Sequence, residues 1–157
     1  MRIRGVLWLA AAAGAAAVIG VASAGGAPAA RPAARAAAAT KVELRHTHLG
    51  SILTSASGLT LYEFTRDRHD EDSCAKIAGC LREWPALVSA GRPSAGAGVK
   101  ASLLSTVGIA GDARQVTYAG HPLYTFADDT PGEVSYVGER EFGGAWDALA
   151  ASGAAVK

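Results

Sequence analysis

The chain has 157 residues and a formal net charge of +1 at pH 7. Four of its fifteen basic residues precede Lys41, so the rest of the chain holds eleven basic and fourteen acidic residues, a net charge of −3. The sequence has no basic stripe with interleaved aromatic residues, so nucleic acid is not the expected partner.

The first 24 residues have the three parts of a secretory signal peptide. Met1 to Arg4 is basic, residues 5–21 form an apolar run, and Ala22-Ser23-Ala24 is a small-x-small cleavage site. An uncleaved membrane anchor is the alternative, because the run is near the lower length limit for spanning. No cysteine lies near the site, so there is no lipobox. We therefore expect a secreted protein, extracellular or associated with the cell wall, with no stable membrane span after cleavage.

Residues 25–40 consist almost entirely of Ala, Pro and Arg. This segment lacks the apolar surface needed to offset chain entropy, so we predict a disordered tether. An Ala-rich helix is the alternative, and Pro28 and Pro32 argue against it. Residues 41–157 are then expected to form a single domain.

Within this domain the second half repeats the first. The segment GLTLYEFTRD, residues 58–67, matches GHPLYTFADD, residues 120–129, with a constant shift of 62 positions. The same shift relates Trp84 to Trp146. A constant shift over this length indicates a duplicated unit, and we predict two repeats at about 50–91 and 112–153.

Each repeat is expected to begin with a β-hairpin. Residues 51–55 and 59–65 form the first pair of short β-type runs, and residues 115–118 and 121–126 form the second, each pair separated by a turn that contains glycine. A type I′ turn at Ala119-Gly120 would require a positive φ at Ala119. Tyr62 and Phe64 point to one face of their strand and Leu61 points to the other. We therefore expect both faces of this strand to be at least partly covered by other parts of the domain.

The sequence therefore predicts a mostly β fold. In it, two tandem pseudo-symmetric β-hairpin repeat units share one core, with short helical turns near the cysteines and Trp146. Trp84 and Trp146 are expected to anchor that core. An open arrangement of two domains is the rival, and it is disfavoured because about sixty residues bury little surface alone.

The repeated motif consists of Tyr62, Phe64 and Asp67 in the first copy and of Tyr124, Phe126 and Asp129 in the second. We expect the aromatic rings to pack in the core rather than to form a platform for a ligand. Each aspartate is expected to cap a turn through backbone N–H groups. The alternatives are a hydrogen bond from the tyrosine of the other copy, or a bound cation.

Cys74 and Cys80 are the two cysteines of an exported chain, which predicts one disulfide. Their spacing excludes a CxxC redox motif and a haem attachment site, and it requires the chain to turn between them, where Gly79 would help. No cofactor and no metal site are predicted. His46 and His48 share one face of any strand and, with His69, are weak candidates for metal ligands.

These residues resemble a bacterial secreted-repeat family with a Y-x4-D motif, described as predicted lipoproteins with a Yx(FWY)xxD motif. The resemblance covers about Leu53 to Gly153 and includes both copies of the motif. It implies no biochemical activity, because the family has none established. The chain departs from the family in lacking a lipid-anchoring cysteine, in its wider cysteine spacing and in having Asp147 after the second tryptophan.

We therefore expect an exported protein without catalytic activity that binds an unknown ligand or partner in the cell envelope or outside the cell. No nucleophile elbow and no zinc-protease motif is present in the sequence. The alternative is a metal- or redox-linked envelope protein that uses its His or Cys residues. A hydrolase with Asp67 and Asp129 as a carboxyl pair is the weakest hypothesis.

Overall fold

The computed structural model describes residues 39–157. The expected signal peptide, residues 1–24, and all but the last two residues of the expected tether, 25–40, lie outside this range. The described residues contain short strands, two 3-10 turns and one short helix, so the prediction of a mostly β fold is confirmed. The strands in chain order are β1 (Lys41–Thr47), β2 (Gly50–Ser55), β3 (Tyr62–Phe64), β4 (Ser94–Ala95), β5 (Leu104–Gly108), β6 (Arg114–Tyr118), β7 (His121–Pro122), β8 (Glu139–Glu141), β9 (Gly144–Leu149) and β10 (Ala155–Val156).

The first sheet has the strand order β2-β1-β4. β1 and β2 form an antiparallel hairpin across the two residues 48–49, and β4 pairs with β1 in parallel. β1 alternates apolar and charged residues from Lys41 to Arg45, the pattern of a strand with one buried face. This strand was not predicted, and it pairs with the edge of β2 opposite to the one that bonds to residues 59–61.

The second sheet joins residues far apart in the chain. Its order is β10-β9-β3, with β8 also paired to β9. Tyr62 lies opposite Ala148 and Phe64 opposite Trp146. β3 therefore pairs along its length with a strand from the second half of the chain. The expected pairing with β2 is limited to residues 59–61, which precede β3, through backbone hydrogen bonds from Ser55 to Leu59 and from Leu61 to Leu53.

The expected helical turn at Trp146 is wrong. Trp146 lies in the middle of strand β9, which has β3 on one side and β8 and β10 on the other. Trp146 and Ala148 face one side of the strand, while Asp147 and Leu149 face the other. β9 forms backbone hydrogen bonds with strands on both of its edges, and a helical turn could not form them. The extended conformation therefore prevails at Trp146.

The third sheet has the order β5-β6-β7. β6 and β7 form the second expected hairpin, with Thr117 opposite Pro122 and Tyr118 opposite His121. Ala119 has φ of 51° and Gly120 has φ of 84°. Both turn residues thus adopt the positive φ of a type I′ turn, and Ala119 carries the strain that this conformation imposes on a side chain.

Two hydrophobic clusters fill the interior, and each draws residues from both halves of the chain. Leu61 and Leu123 lie in the first, which we call the aliphatic layer, whereas Tyr62 and Phe64 lie in the second, the aromatic layer. The predicted division of Leu61 from its aromatic neighbours is confirmed. The aliphatic layer contains Val42, Leu53, Leu61, Val99, Leu104, Val116, Tyr118, Leu123 and Leu149. The aromatic layer contains Tyr62, Phe64, Cys74, Cys80, Trp84, Tyr124, Phe126 and Trp146.

The helical elements are short. One 3-10 turn covers Cys74–Lys76, the helix α1 covers Cys80–Glu83, and a second 3-10 turn covers Ala101–Leu103. Gly79, with φ of 83°, reverses the chain between the first two. Cys74 and Cys80 thereby come within 5.4 Å between Cα atoms and form the predicted disulfide. None of the helices within residues 39–157 has the length and hydropathy that crossing a membrane requires.

Candidate functional site

The two tyrosines of the motif are hydrogen-bonded to the aspartates of the opposite copy. The hydroxyl of Tyr62 donates to Oδ2 of Asp129 over 2.9 Å, and the hydroxyl of Tyr124 donates to Oδ2 of Asp67 over 2.8 Å. These two bonds correspond to each other under the shift of 62 positions. The alternative in which each aspartate accepts from the tyrosine of the other copy is therefore the observed arrangement.

The backbone around the tyrosines follows the same reciprocal pattern. The N–H of Tyr62 donates to the carbonyl of Tyr124 over 2.9 Å, and the N–H of Tyr124 donates back over 3.0 Å. Three residues further on, the N–H of Thr65 donates to the backbone carbonyl of Ala145, and the N–H of Ala127 donates to the backbone carbonyl of Glu83. Each motif strand thus lies beside the tryptophan segment of the other half, so that the motif is assembled from both halves.

The aromatic rings of the motif pack on the two tryptophans. Phe64 stacks on Trp146 with ring centroids 4.2 Å apart, and Phe126 packs on Trp84 at 4.7 Å. Tyr62 meets Trp84 edge to face at 5.2 Å, and Tyr124 meets Trp146 in the same way. All six side chains are buried. No ring offers an open face, so the contacts correspond to core packing and not to a stacking platform.

The two aspartates differ in their second oxygen. Oδ1 of Asp67 accepts from the backbone N–H of Ser73 over 2.7 Å, which is the expected turn cap. Oδ1 of Asp129 is buried without a hydrogen-bond partner among the described residues. The capping expectation therefore agrees with the geometry of Asp67, but Asp129 makes no such bond.

A third carboxylate adjoins the Tyr124 hydroxyl. Oδ1 of Asp72 lies 2.8 Å from it and also accepts from the N–H of Ala75. The single hydroxyl hydrogen of Tyr124 therefore has two carboxylate acceptors, Oδ2 of Asp67 and Oδ1 of Asp72.

Burial raises the pKa values of the aspartates and of the tyrosines in the motif. Burial raises the pKa of Asp67 to about 6, although hydrogen bonds from Ser73 and Tyr124 oppose the shift. Burial likewise raises the pKa of Asp129 to about 6 against the hydrogen bond from Tyr62. The pKa values of both tyrosines are raised well above the usual range, by burial first and by the neighbouring carboxylates second. The tyrosines therefore remain neutral donors at physiological pH.

Comparison with known families gives one match. Residues 110–150 match Lipoprotein_15, a secreted repeat of unknown function. The resemblance expected from the sequence is confirmed over this segment, which contains Tyr124, Phe126, Asp129 and Trp146. Searches of curated proteins and of solved structures found no match.

The histidines considered as metal ligands, His46, His48 and His69, lie outside residues 110–150. Nδ1 of His46 is 3.5 Å from Oγ of Ser51, and Nδ1 of His69 is 3.1 Å from Oδ2 of Asp70. His48 lies in the loop between β1 and β2. Among residues 39–157, no three His, Cys, Asp or Glu side chains are grouped so that they could hold a metal ion. The cysteines are buried and joined to each other.

One polar cluster was not identified from the sequence. Glu63 is 6% exposed and accepts a hydrogen bond from Nδ1 of His121. It lies opposite Asp147 in the pairing of β3 with β9. The hydrogen bond to Glu63 raises the pKa of His121, and burial raises the pKa of Asp147. Glu63 sits where the second copy has Thr125, so the repeat gave no signal for it.

Proposed function

We propose that this chain is an exported interaction module without catalytic activity. In this proposal a signal peptide, residues 1–24, and a tether, residues 25–40, precede a single domain. The domain consists of two tandem, pseudo-symmetric repeats, at about 50–91 and 112–153, that interlock through the paired motif. The scaffold presents its surface to a ligand or partner in the cell envelope or outside the cell.

The observation that carries this proposal is the reciprocal bonding of the motif. Tyr62 donates a hydrogen bond to Asp129 and Tyr124 donates one to Asp67, so each half needs the other half to complete the aromatic layer. Both clusters of the core also take residues from both halves. Each half alone is too small to form a hydrophobic core. Because the side chains of each half contact the other half, the two halves form one shared core.

The same bonds support a structural role for the motif. Its tyrosine hydroxyls are buried and bond to half-buried aspartates, and a group that acts on a substrate must be able to reach it. Binding would then fall to the surface of the scaffold. The description of the matched family as a secreted repeat supports the exported location.

Two measurements on the full chain expressed in an exporting bacterial host test this proposal. Intact mass of protein from the culture fluid or the cell wall should correspond to cleavage after Ala24. A photo-crosslinking amino acid placed at exposed positions, Val88, Lys100 and Glu139 in separate variants, should give a discrete adduct from at least one of them. Retention in the cytoplasm with the leader intact, or the absence of an adduct from all three positions, would overturn the proposal.

A further inference from the structure

Strand β5 forms an open edge within the described residues, where it pairs only with β6. Thr106 lies opposite Val116. The N–H of Val116 donates to Leu87 and its carbonyl accepts from Leu123, both on the side away from β5. Thr106 is therefore in a non-hydrogen-bonded pair, and its own backbone N–H points toward the open edge.

A groove of about 320 Å³ runs beside this edge. One wall is formed by three consecutive residues of the open strand, and the other by a turn that follows the first repeat. The lining residues are Gly91, Arg92, Pro93, Leu104, Ser105, Thr106 and Arg114. The groove thus combines the outward N–H of Thr106 with side chains from a second segment, while the carbonyl of Thr106 accepts from Arg114.

The groove is positively charged in a domain of net negative charge. Arg92 and Arg114 both line it, and no Asp or Glu is among the lining residues. Nε and Nη2 of Arg114 donate to Oγ1 and the carbonyl of Thr106, over 2.8 Å and 3.0 Å. These bonds orient the guanidinium at the edge and leave its remaining N–H groups available.

One exposed apolar side chain lies near the backbone of Arg114 but outside the groove lining. Val88 is 51% exposed and is the one large hydrophobic residue at the surface of the described chain. Its neighbour Ser89 donates its N–H to the carbonyl of Arg114. Val88 lies beside β6 on the side away from β5, so the contacts of an added strand are made by the arginines and the backbone of β5 and not by Val88.

We propose that β5 and this groove bind an extended acidic segment of a partner protein as an added strand, with carboxylates paired to Arg92 and Arg114. The inference rests on the proposed function and names its partner class. Arginine and carboxylate form bidentate pairs, and the backbone edge supplies the strand pairing. The chain's own tether enters beside this groove at Thr40, which bonds to Ser89, but Arg31 and Arg35 give it the same charge as the groove.

Fluorescence anisotropy with the full-length exported protein tests the proposal. The probe is a labelled octapeptide that alternates Glu and Val, compared with the same peptide N-methylated at alternate residues and with a Lys-Val peptide. The Glu-Val peptide should bind, and both comparison peptides should bind at least about tenfold more weakly. Equal binding of the N-methylated peptide would show a general polyanion surface and would overturn strand addition.

Variants locate the site on the protein. Arg92→Glu should weaken binding of the Glu-Val peptide at least about tenfold, whereas Arg82→Glu, an exposed charge reversal on α1, should leave it unchanged. Thr106→Pro removes the outward N–H and should also weaken it. Equal thermal melting of the variants controls for folding. Absence of peptide binding, or equal binding by Arg92→Glu, overturns this site, and the proposed function still stands if the crosslinked adducts form.

Discussion

Trp84 and Trp146 stack face to face, with ring centroids 4.0 Å apart and planes within 1° of parallel. The two residues are 62 positions apart and occupy equivalent places in the repeat. Phe64 packs on Trp146 and Phe126 on Trp84, so the four rings form one continuous column through the aromatic layer. This column joins the two halves of the chain by side-chain contacts as the tyrosines join them by hydrogen bonds.

Truncation of either tryptophan should destabilise the whole domain. Trp84→Ala and Trp146→Ala should each lower the free energy of unfolding by about 3–5 kcal/mol, because each leaves a large cavity in a buried column. Denaturant unfolding followed by far-UV circular dichroism measures this loss. Val88→Ala, at an exposed position, is the matched control and should cost little. Retention of parental stability by either tryptophan variant would contradict the shared column.

The domain should lose stability as the pH rises from about 4 to about 6. The pKa values of Asp67 and Asp129 are near 6 in the folded state, above the ordinary value of an unfolded aspartate. A raised folded pKa means that the folded state binds protons more tightly, so the contribution is complete below pH 4 and is lost as pH approaches and passes 6. Urea midpoints from pH 4 to pH 7 measure the trend.

Asp129→Asn is the matched variant for this pH effect. Asparagine keeps an acceptor for the Tyr62 hydroxyl but cannot titrate, so the fall in urea midpoint between pH 4 and pH 6 should be smaller than in the parent. Glu71 and Glu133 have pKa values lowered by hydrogen bonds from Lys76 and Thr130, and they affect stability at more acidic pH. A parent curve that rises from pH 4 to pH 6, or an identical slope in Asp129→Asn, would contradict the assignment.

The disulfide should stabilise the segment that carries Asp72. Replacing both Cys74 and Cys80 with alanine should cost about 2 kcal/mol, the chain-entropy value for a loop this short. The variant should also weaken the bond between Asp72 and Tyr124, because Asp72 lies two residues before the disulfide. Thermal melting under oxidising and reducing conditions measures the effect. Two free thiols in the exported parent under non-reducing conditions would refute the pairing.

The pKa of His121 should depend on its contact with Glu63. The hydrogen bond to Glu63 raises the pKa of His121, so the stability that this contact contributes is lost as pH rises through the raised value. In the Glu63→Gln variant the pKa of His121 should fall, as measured by the ring resonances in an NMR pH titration. An unchanged His121 titration in this variant would show that the contact does not form in solution.

Local features of this fold could be predicted from the sequence, whereas the partners of its strands could not. The alternation of Leu61 with Tyr62 and Phe64 specifies which face each residue buries. The short cysteine spacing requires a turn. Both follow from neighbouring residues, for which a single sequence contains enough information.

The missed features depend on contacts between distant residues. Trp146 was expected in a helical turn, but β3 from the other half of the chain holds it in a strand. The bond from Tyr62 to Asp129 was foreseen only as an alternative to turn capping, because the exchange between halves selects it. A repeat in sequence indicates equivalent environments and does not indicate which copy supplies each neighbour.

The most direct test of the interlocked motif is a set of double-mutant cycles measured by urea unfolding. Tyr62→Phe combined with Asp129→Ala, and Tyr124→Phe combined with Asp67→Ala, should each show a coupling energy of about 1 kcal/mol or more. Tyr62→Phe combined with Asp67→Ala, both within one copy, is the control and should be additive within about 0.5 kcal/mol. Coupling within one copy and additivity between copies would contradict the account.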